Sequence, residues 1–254
     1  MSTSPPPPLA LLLDMDGVLA EVSSSYRSCI LLTCAHFLPQ LEPCPVTSAV
    51  VKARKEEGGC NNDWVLSLEL IKRFLPEEGR EPTLEEVTAV FEDLYQGTPS
   101  SPGLKASESL IPALGVLTEL RRRLPGKMAV VTGRPQKDCD WFLAQHGLSG
   151  LFDATVCMES GPPKPSPAPF KLACERLGVA VSEAVIVGDT PDDVLSGLSA
   201  GGRGVGVALP HDFARAVLDG ADYKAGGLSK RMLELGAEGV IRPGLADLLD
   251  LFPR

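Results

Sequence analysis

Residues 9–17 read LALLLDMDG, and this stretch indicates which fold the rest of the chain must complete. The apolar run is short and has no polar face, which is typical of a strand buried on both sides of a parallel sheet. Asp16 and Gly17 form a turn signal that ends the strand, which we place at residues 9–14. The predicted strand therefore ends on a carboxylate, Asp14, and a second carboxylate follows two positions later.

Strand and helix patterns alternate in the second half of the chain. The predicted strands cover residues 128–131, 154–158, 184–187 and 204–208. The predicted helices cover residues 111–124, 136–146, 168–177 and 191–200. This alternation predicts βαβ units, so the expected fold class is α/β, with a doubly wound parallel Rossmann-like sheet.

Only helical signals separate the first strand from this alternating region. They cover residues 24–37, 52–57 and 63–74, and Thr83 with Glu86 forms a capping box ahead of one more helix. A stretch rich in Pro, Ser and Gly then acts as a linker. The predicted organisation is a disordered tail at residues 1–8, an α/β core at residues 9–20 and 104–254, and a small all-helical domain at residues 21–103.

The composition argues against nucleic acid as a partner and against a membrane-spanning segment. A net charge of −9 and a pI near 4.9 argue against nucleic acid, because binding it depends on neutralising phosphates with Lys and Arg. No apolar run approaches the roughly 20 residues that span a membrane, and we expect no secretory signal. Seven cysteines without a C-x-x-C pair indicate reduced thiols and predict a cytoplasmic protein.

The candidate site residues follow the predicted strands, where ligands of open α/β sheets bind. Beside Asp14 and Asp16, the loops at this edge carry Thr132, Gly133, Arg134, Lys164, Asp189, Asp192 and Asp193. Carboxylates gathered at one place repel each other, and a hard cation such as Mg²⁺ relieves that repulsion. Such an ion, with the ammonium of Lys164, would also attract a phosphate group. The pattern predicts a magnesium and phosphate site.

Each of these residues also has a plain structural interpretation. Asp16 before glycine is a common turn residue, and Asp189 before a proline can cap the next helix. Lys164 in a proline-rich loop can be an ordinary surface lysine. Asp192 is interpreted as a solvated residue in the first turn of a helix. The functional interpretation is favoured because the residues arise from four separate segments.

Four stretches together carry a specific resemblance. They are residues 14–19 (DMDGVL), 130–133 (VVTG), 164–165 (KP) and 187–193 (VGDTPDD). Their order, spacing and strand context resemble the four motifs of the haloacid dehalogenase-like superfamily, over roughly residues 9–209. The helical insert resembles the cap of that superfamily's helical-capped subgroup, and caps of this kind close over a site and exclude water.

The resemblance implies a mechanism and a role for each residue. Asp14 would attack phosphorus and Asp16 would act as general acid and base. Mg²⁺ would be held by the Asp14 side chain, the Asp16 backbone carbonyl and Asp189, with Asp193 nearby. Thr132 and Lys164 would hold the phosphoryl oxygens. Superfamily members that cleave carbon–halogen bonds are expected to lack an aspartate at the position of Asp16, so phosphate chemistry is favoured.

Substrate contacts are predicted at three further positions. Gly133 and Arg134 follow the second motif directly, and Arg134 could touch substrate. Within the insert, Asn62 and Trp64 could contact the polar and flat parts of a substrate, although a turn with a helix cap explains the same residues. The Asn-Asn-Asp-Trp stretch resembles one branch of the helical-capped subgroup, and that resemblance implies no particular substrate.

Three functions stay open at this point. The favoured one is a Mg²⁺-dependent phosphatase that acts on a small phosphorylated metabolite, as a monomer or homodimer. A phosphosugar mutase would use the same aspartyl-phosphate but exclude water better. A catalytically silent module would keep the metal and phosphate site and serve only to bind.

Overall fold

The computed structural model describes residues 8–252 of the chain. Within them the chain forms two compact units, the first containing residues 8–20 and 110–252 and the second residues 21–109. Of the predicted tail, residues 1–7 lie outside the described part, whereas Pro8 is described and buried. The two units are built on different principles, a parallel sheet and a set of helices.

The regular elements are numbered in chain order. The helices are α1 (Tyr26–Phe37), α2 (Ser48–Glu57), α3 (Asp63–Phe74), α4 (Leu84–Gln96), α5 (Leu114–Arg123), α6 (Gln136–Gln145), α7 (Ala168–Leu177), α8 (Pro191–Ala200), α9 (Pro210–Leu218), α10 (Gly227–Glu234) and α11 (Leu248–Leu251). The strands of the main sheet are β1 (Ala10–Leu13), β2 (Met128–Val131), β3 (Ala154–Val156), β4 (Ala184–Gly188), β5 (Arg203–Val207) and β6 (Val240–Ile241). Two-residue strands also pair, Ala20–Glu21 with Ser109–Leu110 and Gly97–Thr98 with Ser101–Pro102.

The main sheet is parallel and has the strand order β6-β5-β4-β1-β2-β3. Strand β1 lies near its centre, with Leu11 opposite Met128 of β2 on one side and Val185 of β4 on the other. All four β1 residues are buried, which explains the unbroken apolar run. The order reverses at β1, so the carboxyl ends of β4, β1 and β2 meet at the point where ligands bind in such sheets. The predicted fold class is confirmed.

Helix α7 covers one face of this sheet. Its residues Phe170 and Leu177 pack in one buried cluster with Leu12 and Ile186 of the sheet. Alternate residues of the strands β1, β2 and β4 join this cluster, together with Val156 of β3, as a two-residue period requires; the alternate residues are Ala10, Leu12, Ala129, Val131, Ala184 and Ile186. Each large apolar side chain buried in this way contributes about 1.5–3 kcal/mol, so the site rests on a firmly packed sheet.

The second unit packs helices α1, α3 and α4 around aromatic residues. The Tyr26 ring lies 4.3 Å from that of Tyr95 and 5.8 Å from that of Phe91. The predicted capping box at the start of α4 is confirmed, because the side chains of Thr83 and Glu86 each accept a hydrogen bond from the other residue's backbone N–H. This box satisfies two N–H groups that the helix itself leaves open.

The second unit continues beyond the boundary at residue 103 that the sequence suggested. Glu108 is buried there and its Oε1 accepts hydrogen bonds from Ser25 Oγ (2.8 Å) and Tyr95 Oη (3.1 Å). A buried carboxylate is stable only when hydrogen-bonded, so residues 104–109 stay with the helices that supply these donors.

Other differences concern the ends of elements and the last part of the chain. The helix predicted from residue 111 begins at Leu114, because Pro112 lies ahead of its first turn. The strand predicted over residues 154–158 ends at Val156, where a 3-10 turn over Met158–Ser160 follows. Helices α9 to α11 and strand β6 follow residue 209, where the sequence analysis predicted nothing. No helix within residues 8–252 combines the length and apolar character that crossing a bilayer requires.

Candidate functional site

Three predicted site residues directly follow three adjacent strands. Asp14 follows β1, Thr132 follows β2 and Asp189 follows β4, and all three are buried. The backbone N–H of Asp14 bonds Val187 O, and that of Thr132 bonds Val156 O, each at 2.9 Å. These bonds continue the ladders of the sheet by one residue. The side chains are therefore held by the sheet itself and not by a mobile loop.

Three carboxylates converge within this edge. Asp14, Asp189 and Asp193 each offer one oxygen, and these oxygens lie within 4.8 Å of one another. Asp193 reaches the cluster from the first turn of α8, where its Oδ2 accepts from Thr190 N (3.0 Å) and Thr190 Oγ1 (2.6 Å). Buried carboxylates this close are costly unless a cation joins them. A set of hard oxygen donors fits Mg²⁺ better than a soft metal.

Lys164 lies inside the cluster and not on the surface. Its buried Nζ donates to Asp14 Oδ1 at 2.8 Å, to Asp193 Oδ1 at 2.5 Å and to Val131 O at 3.0 Å. These acceptors match the three donors of an ammonium group. The ammonium is therefore fixed in place, and the surface-lysine interpretation is wrong.

The charges in this cluster shift one another's protonation. Burial raises the pKa of Asp14 well above its usual range, the charges of Asp193, Asp189 and Asp16 raise it further, and Lys164 opposes them. Burial by itself would lower the pKa of Lys164, but Asp14 and Asp193 raise it above its ordinary value. The ammonium thus stays charged, while three carboxyl groups surround this single cation. A divalent cation bound among them would favour their ionised form.

Two glycines, Gly17 and Gly188, form a cradle in which the backbone lies close to two carboxylates of the cluster. A Cβ on Gly17 would lie 2.3 Å from Asp189 Oδ2, and a Cβ on Gly188 would lie 2.1 Å from Asp193 Cγ. Both distances are far below van der Waals contact. In the sequence Gly17 is recognisable only as a turn residue, because the close approach that forms the cradle joins distant segments.

Substituting Gly17 tests the cradle. Gly17→Ala places a side chain at φ +75° and pushes Asp189 away, so we expect a loss of about 1–2 kcal/mol in unfolding free energy together with weaker Mg²⁺ binding. Gly178→Ala is the matched control, since Gly178 has φ +61° and no atom within 4 Å of the added Cβ. Urea unfolding and calorimetric Mg²⁺ titration measure both effects. Equal Mg²⁺ affinities in the two variants would contradict the cradle.

Arg134 and Asp16 form an ion pair beside the cluster. Arg134 Nε lies 2.7 Å and Nη2 lies 2.6 Å from Asp16 Oδ1. The guanidinium is buried and lies 5.4 Å from the ring centroid of Phe142, and a buried arginine offers little surface to a substrate. The Arg134 backbone N–H also bonds Thr132 Oγ1 at 3.1 Å, which leaves the Thr132 hydroxyl hydrogen for another acceptor. Gly133 is half-buried between the two.

In the second unit, Asn62 is the N-cap of α3. Its Oδ1 accepts from the backbone N–H groups of Trp64 (3.0 Å) and Val65 (3.1 Å). The structure therefore shows the turn and helix cap that the sequence left as one interpretation. Substrate contacts by Asn62 and Trp64 stay predictions.

The interpretation of Asp192 as a solvated residue in the first turn of a helix is wrong. It is buried, as are its neighbours Pro191 and Asp193 and, further along α8, Val194 and Ser196. The helix lies against β4 and β5, so its first turn faces the protein interior. Exposure of a first-turn acid is a tendency of isolated helices, and packing of α8 overrides it here.

The sheet edge thus brings together Asp14, Thr132, Lys164, Asp189 and Asp193, with Asp16 held by Arg134. A sequence model of the haloacid dehalogenase-like hydrolase family matches residues 9–201. The chain is 46% identical over 247 residues to an imidazoleglycerol-phosphate dehydratase of Phytophthora nicotianae, an alignment that covers 97% of the chain and 53% of that protein. The chain therefore spans about half the length of that relative.

Two further similarities agree with the family match. A phosphoglycolate phosphatase of Pectobacterium atrosepticum is 29% identical over 153 residues, which cover 58% of the chain and 63% of that protein. The crystal structure of a predicted phosphoglycolate phosphatase from Haemophilus somnus has a TM-score of 0.68 at 22% identity and covers 96% of this chain and 98% of its own. At that identity, the last match speaks for the fold alone.

Proposed function

The chain belongs to the haloacid dehalogenase-like hydrolase family, and from this premise we propose that it is a Mg²⁺-dependent phosphatase of a small phosphorylated metabolite. The observation that carries the proposal is the contact of Lys164 with Asp14 and Asp193 inside a buried acidic cluster. One cation already lies beside the nucleophile, and the remaining carboxylates offer ligands for a second. A phosphate group needs both charges close to the attacking oxygen.

The proposed reaction has two displacements at phosphorus. First, an Asp14 carboxylate oxygen forms a bond to phosphorus while the ester P–O bond breaks, and Asp16 gives its proton to the leaving alkoxide. Then Asp16 takes a proton from water, whose oxygen bonds phosphorus as the bond to Asp14 breaks. Inorganic phosphate leaves, and both aspartates return to their starting states.

The other residues of the edge hold the phosphoryl group during these steps. In this proposal the Thr132 hydroxyl hydrogen and the Lys164 ammonium contact phosphoryl oxygens. Thr132 follows the strand next to β1, and Lys164 contacts Asp14, so a phosphoryl group bound there would compete for the Lys164 ammonium. Mg²⁺, bound by the Asp14 and Asp189 side chains and the Asp16 carbonyl with Asp193 nearby, would supply further positive charge. Most of the lowering of the barrier then comes from positioning and charge neutralisation.

The proposed substrate class is a small phosphorylated metabolite, and the names of the relatives support it. Those names refer to phosphoglycolate and to a phosphate ester that carries an imidazole ring. A screen of about a hundred metabolite phosphates with Mg²⁺, including these two types, tests the proposal through release of inorganic phosphate. We expect release from at least one ester without an added sugar bisphosphate. A strict need for a sugar bisphosphate would favour the mutase. No turnover of any ester would favour the catalytically silent module.

Magnesium dependence gives a separate test. EDTA is expected to abolish phosphate release, and Asp189→Asn is expected to weaken the apparent Mg²⁺ affinity by at least about 10-fold, since it removes a charged ligand. Asp250→Asn makes the same change at an exposed position of the same unit and serves as control. Activity measured against Mg²⁺ concentration separates the variants. An unchanged Mg²⁺ dependence in Asp189→Asn would count against the proposed ligand.

Three further properties belong to this proposal. The acidic net charge of −9 supports the absence of nucleic-acid binding. A cytoplasmic location and a monomeric or homodimeric state stay predictions from the sequence. The separation of the chain into core and cap, with the cap contributing substrate contacts, is proposed on the same family resemblance.

A further inference from the structure

Arg134 is the largest fully buried side chain of the described residues, and the proposed reaction leaves it without a role. Its side chain is 1% exposed, whereas that of its partner Asp16 is 32% exposed. Burying a guanidinium is costly unless its partner is well placed. Asp16 is one partner of this guanidinium, and it is the residue that exchanges protons in the proposed reaction.

Arg134 contacts only one of the two carboxylate oxygens of Asp16. Arg134 Nε and Nη2 both approach Asp16 Oδ1, at 2.7 and 2.6 Å. Within residues 8–252, the side-chain hydrogen bond and ion pair of Asp16 both involve Oδ1. The carboxylate is therefore anchored through one oxygen, and Oδ2 is left to exchange a proton.

We propose that Arg134 is a positioning residue for Asp16, which holds the carboxylate by Oδ1 so that Oδ2 carries the proton to the leaving group. This inference rests on the proposed phosphatase function. It assigns Arg134 a role different from the substrate contact that the sequence suggested, and the buried guanidinium supports the change. Proton transfer needs the acid within about 2.6–3.2 Å of the leaving oxygen, and fixing Asp16 at Oδ1 would limit the positions that Oδ2 can take.

Two esters whose leaving groups differ in basicity distinguish this positioning role of Arg134 from a purely structural one. An alkoxide is a strong base and leaves only when protonated, whereas para-nitrophenolate is a weak base and leaves unaided. The ratio kcat/KM covers the steps up to release of the leaving group, so it does not include hydrolysis of the aspartyl-phosphate. A residue that positions the acid affects kcat/KM for an alkyl phosphate much more than for para-nitrophenyl phosphate.

The experiment compares Arg134→Met and Arg134→Lys with wild type on both esters. For Arg134→Met we expect kcat/KM to fall about 10- to 100-fold on the alkyl ester, a part of the 10²–10⁴ that general acid–base catalysis supplies, and less than about threefold on the aryl ester. Arg134→Lys should recover part of the loss, because an ammonium can still bind Oδ1. In an Asp16→Asn background, Arg134→Met should cause no further loss on the alkyl ester.

Several outcomes would overturn the inference. Equal losses on both esters would indicate a structural role, and a raised KM at unchanged kcat would indicate substrate binding. Urea unfolding identifies variants that do not fold, and Arg134→Lys then carries the comparison. If wild type hydrolyses no ester of the metabolite screen, the proposed function fails, and a crystal structure of the Arg134 variant still decides this inference. Asp16 should then occupy more than one rotamer, and one unchanged rotamer would refute the positioning role.

Discussion

Asp14→Asn is expected to lower kcat for phosphate release by more than about 10⁴-fold, because the substitution removes the nucleophile and keeps its shape. The amide oxygen of asparagine is a poor nucleophile towards phosphorus. The fold should persist, since Lys164 keeps two acceptors, Asp193 Oδ1 and Val131 O. The loss would then be one of chemistry and not of structure.

Two measurements support the interpretation of this variant. Acid-quenched wild-type enzyme should carry a phosphoryl group, detectable as a mass increase on the peptide that contains Asp14, and Asp14→Asn should not. Asp250→Asn controls for the loss of one carboxylate and should keep wild-type kcat. If Asp14→Asn kept more than about a tenth of the wild-type kcat, the nucleophile assignment would be lost.

Lys164→Met is expected to have the largest effect on stability. The substitution leaves Asp14 and Asp193 buried without the cation that both contact, and removing one partner of a buried ion pair costs about 3–5 kcal/mol. Adding Mg²⁺ should restore part of the lost unfolding free energy, because the ion supplies positive charge to the same carboxylates. A free Mg²⁺ concentration of about 100 times the dissociation constant would stabilise the folded state by about 2.7 kcal/mol.

The matched control for this variant is Lys171→Met. Lys171 is exposed on helix α7, so the same change there should alter the unfolding free energy by no more than about 0.5 kcal/mol. Urea unfolding of both variants, with and without Mg²⁺, checks the prediction. A small effect of Lys164→Met in EDTA, or a loss that Mg²⁺ does not reduce, would show that the buried contacts matter less than their distances indicate.

Much of the core fold was predictable because its signals are local. The run that ends in Asp14 could only be a buried strand, and the helix capped by Thr83 carries both members of its capping box within four residues. The part after residue 209 was missed because its signals are weak. Helix α9 has no buried residue among those described, and β6 has only two residues.

The site was predictable in its members but not in its contacts. Parallel strands bring their carboxyl ends to one edge, so Asp14, Thr132 and Asp189 had to be neighbours once the order of strands was known. The cradle of Gly17 beside Asp189 depends on a close approach of two segments far apart in the chain, where an added Cβ would lie 2.3 Å from Asp189 Oδ2. No periodicity or turn signal contains such a distance.

By itself the sequence determined the parallel sheet, the acids at its edge and the family resemblance, because hydrophobic period, turn residues and motif spacing act over a few residues. Only the tertiary structure decided that Lys164 is buried between two carboxylates, that Asp192 is buried, and that Arg134 holds Asp16 from 118 positions away. The physical reason is that burial and charge pairing depend on which distant segments exclude water together, and that arrangement exists only after the sheet and its helices have packed.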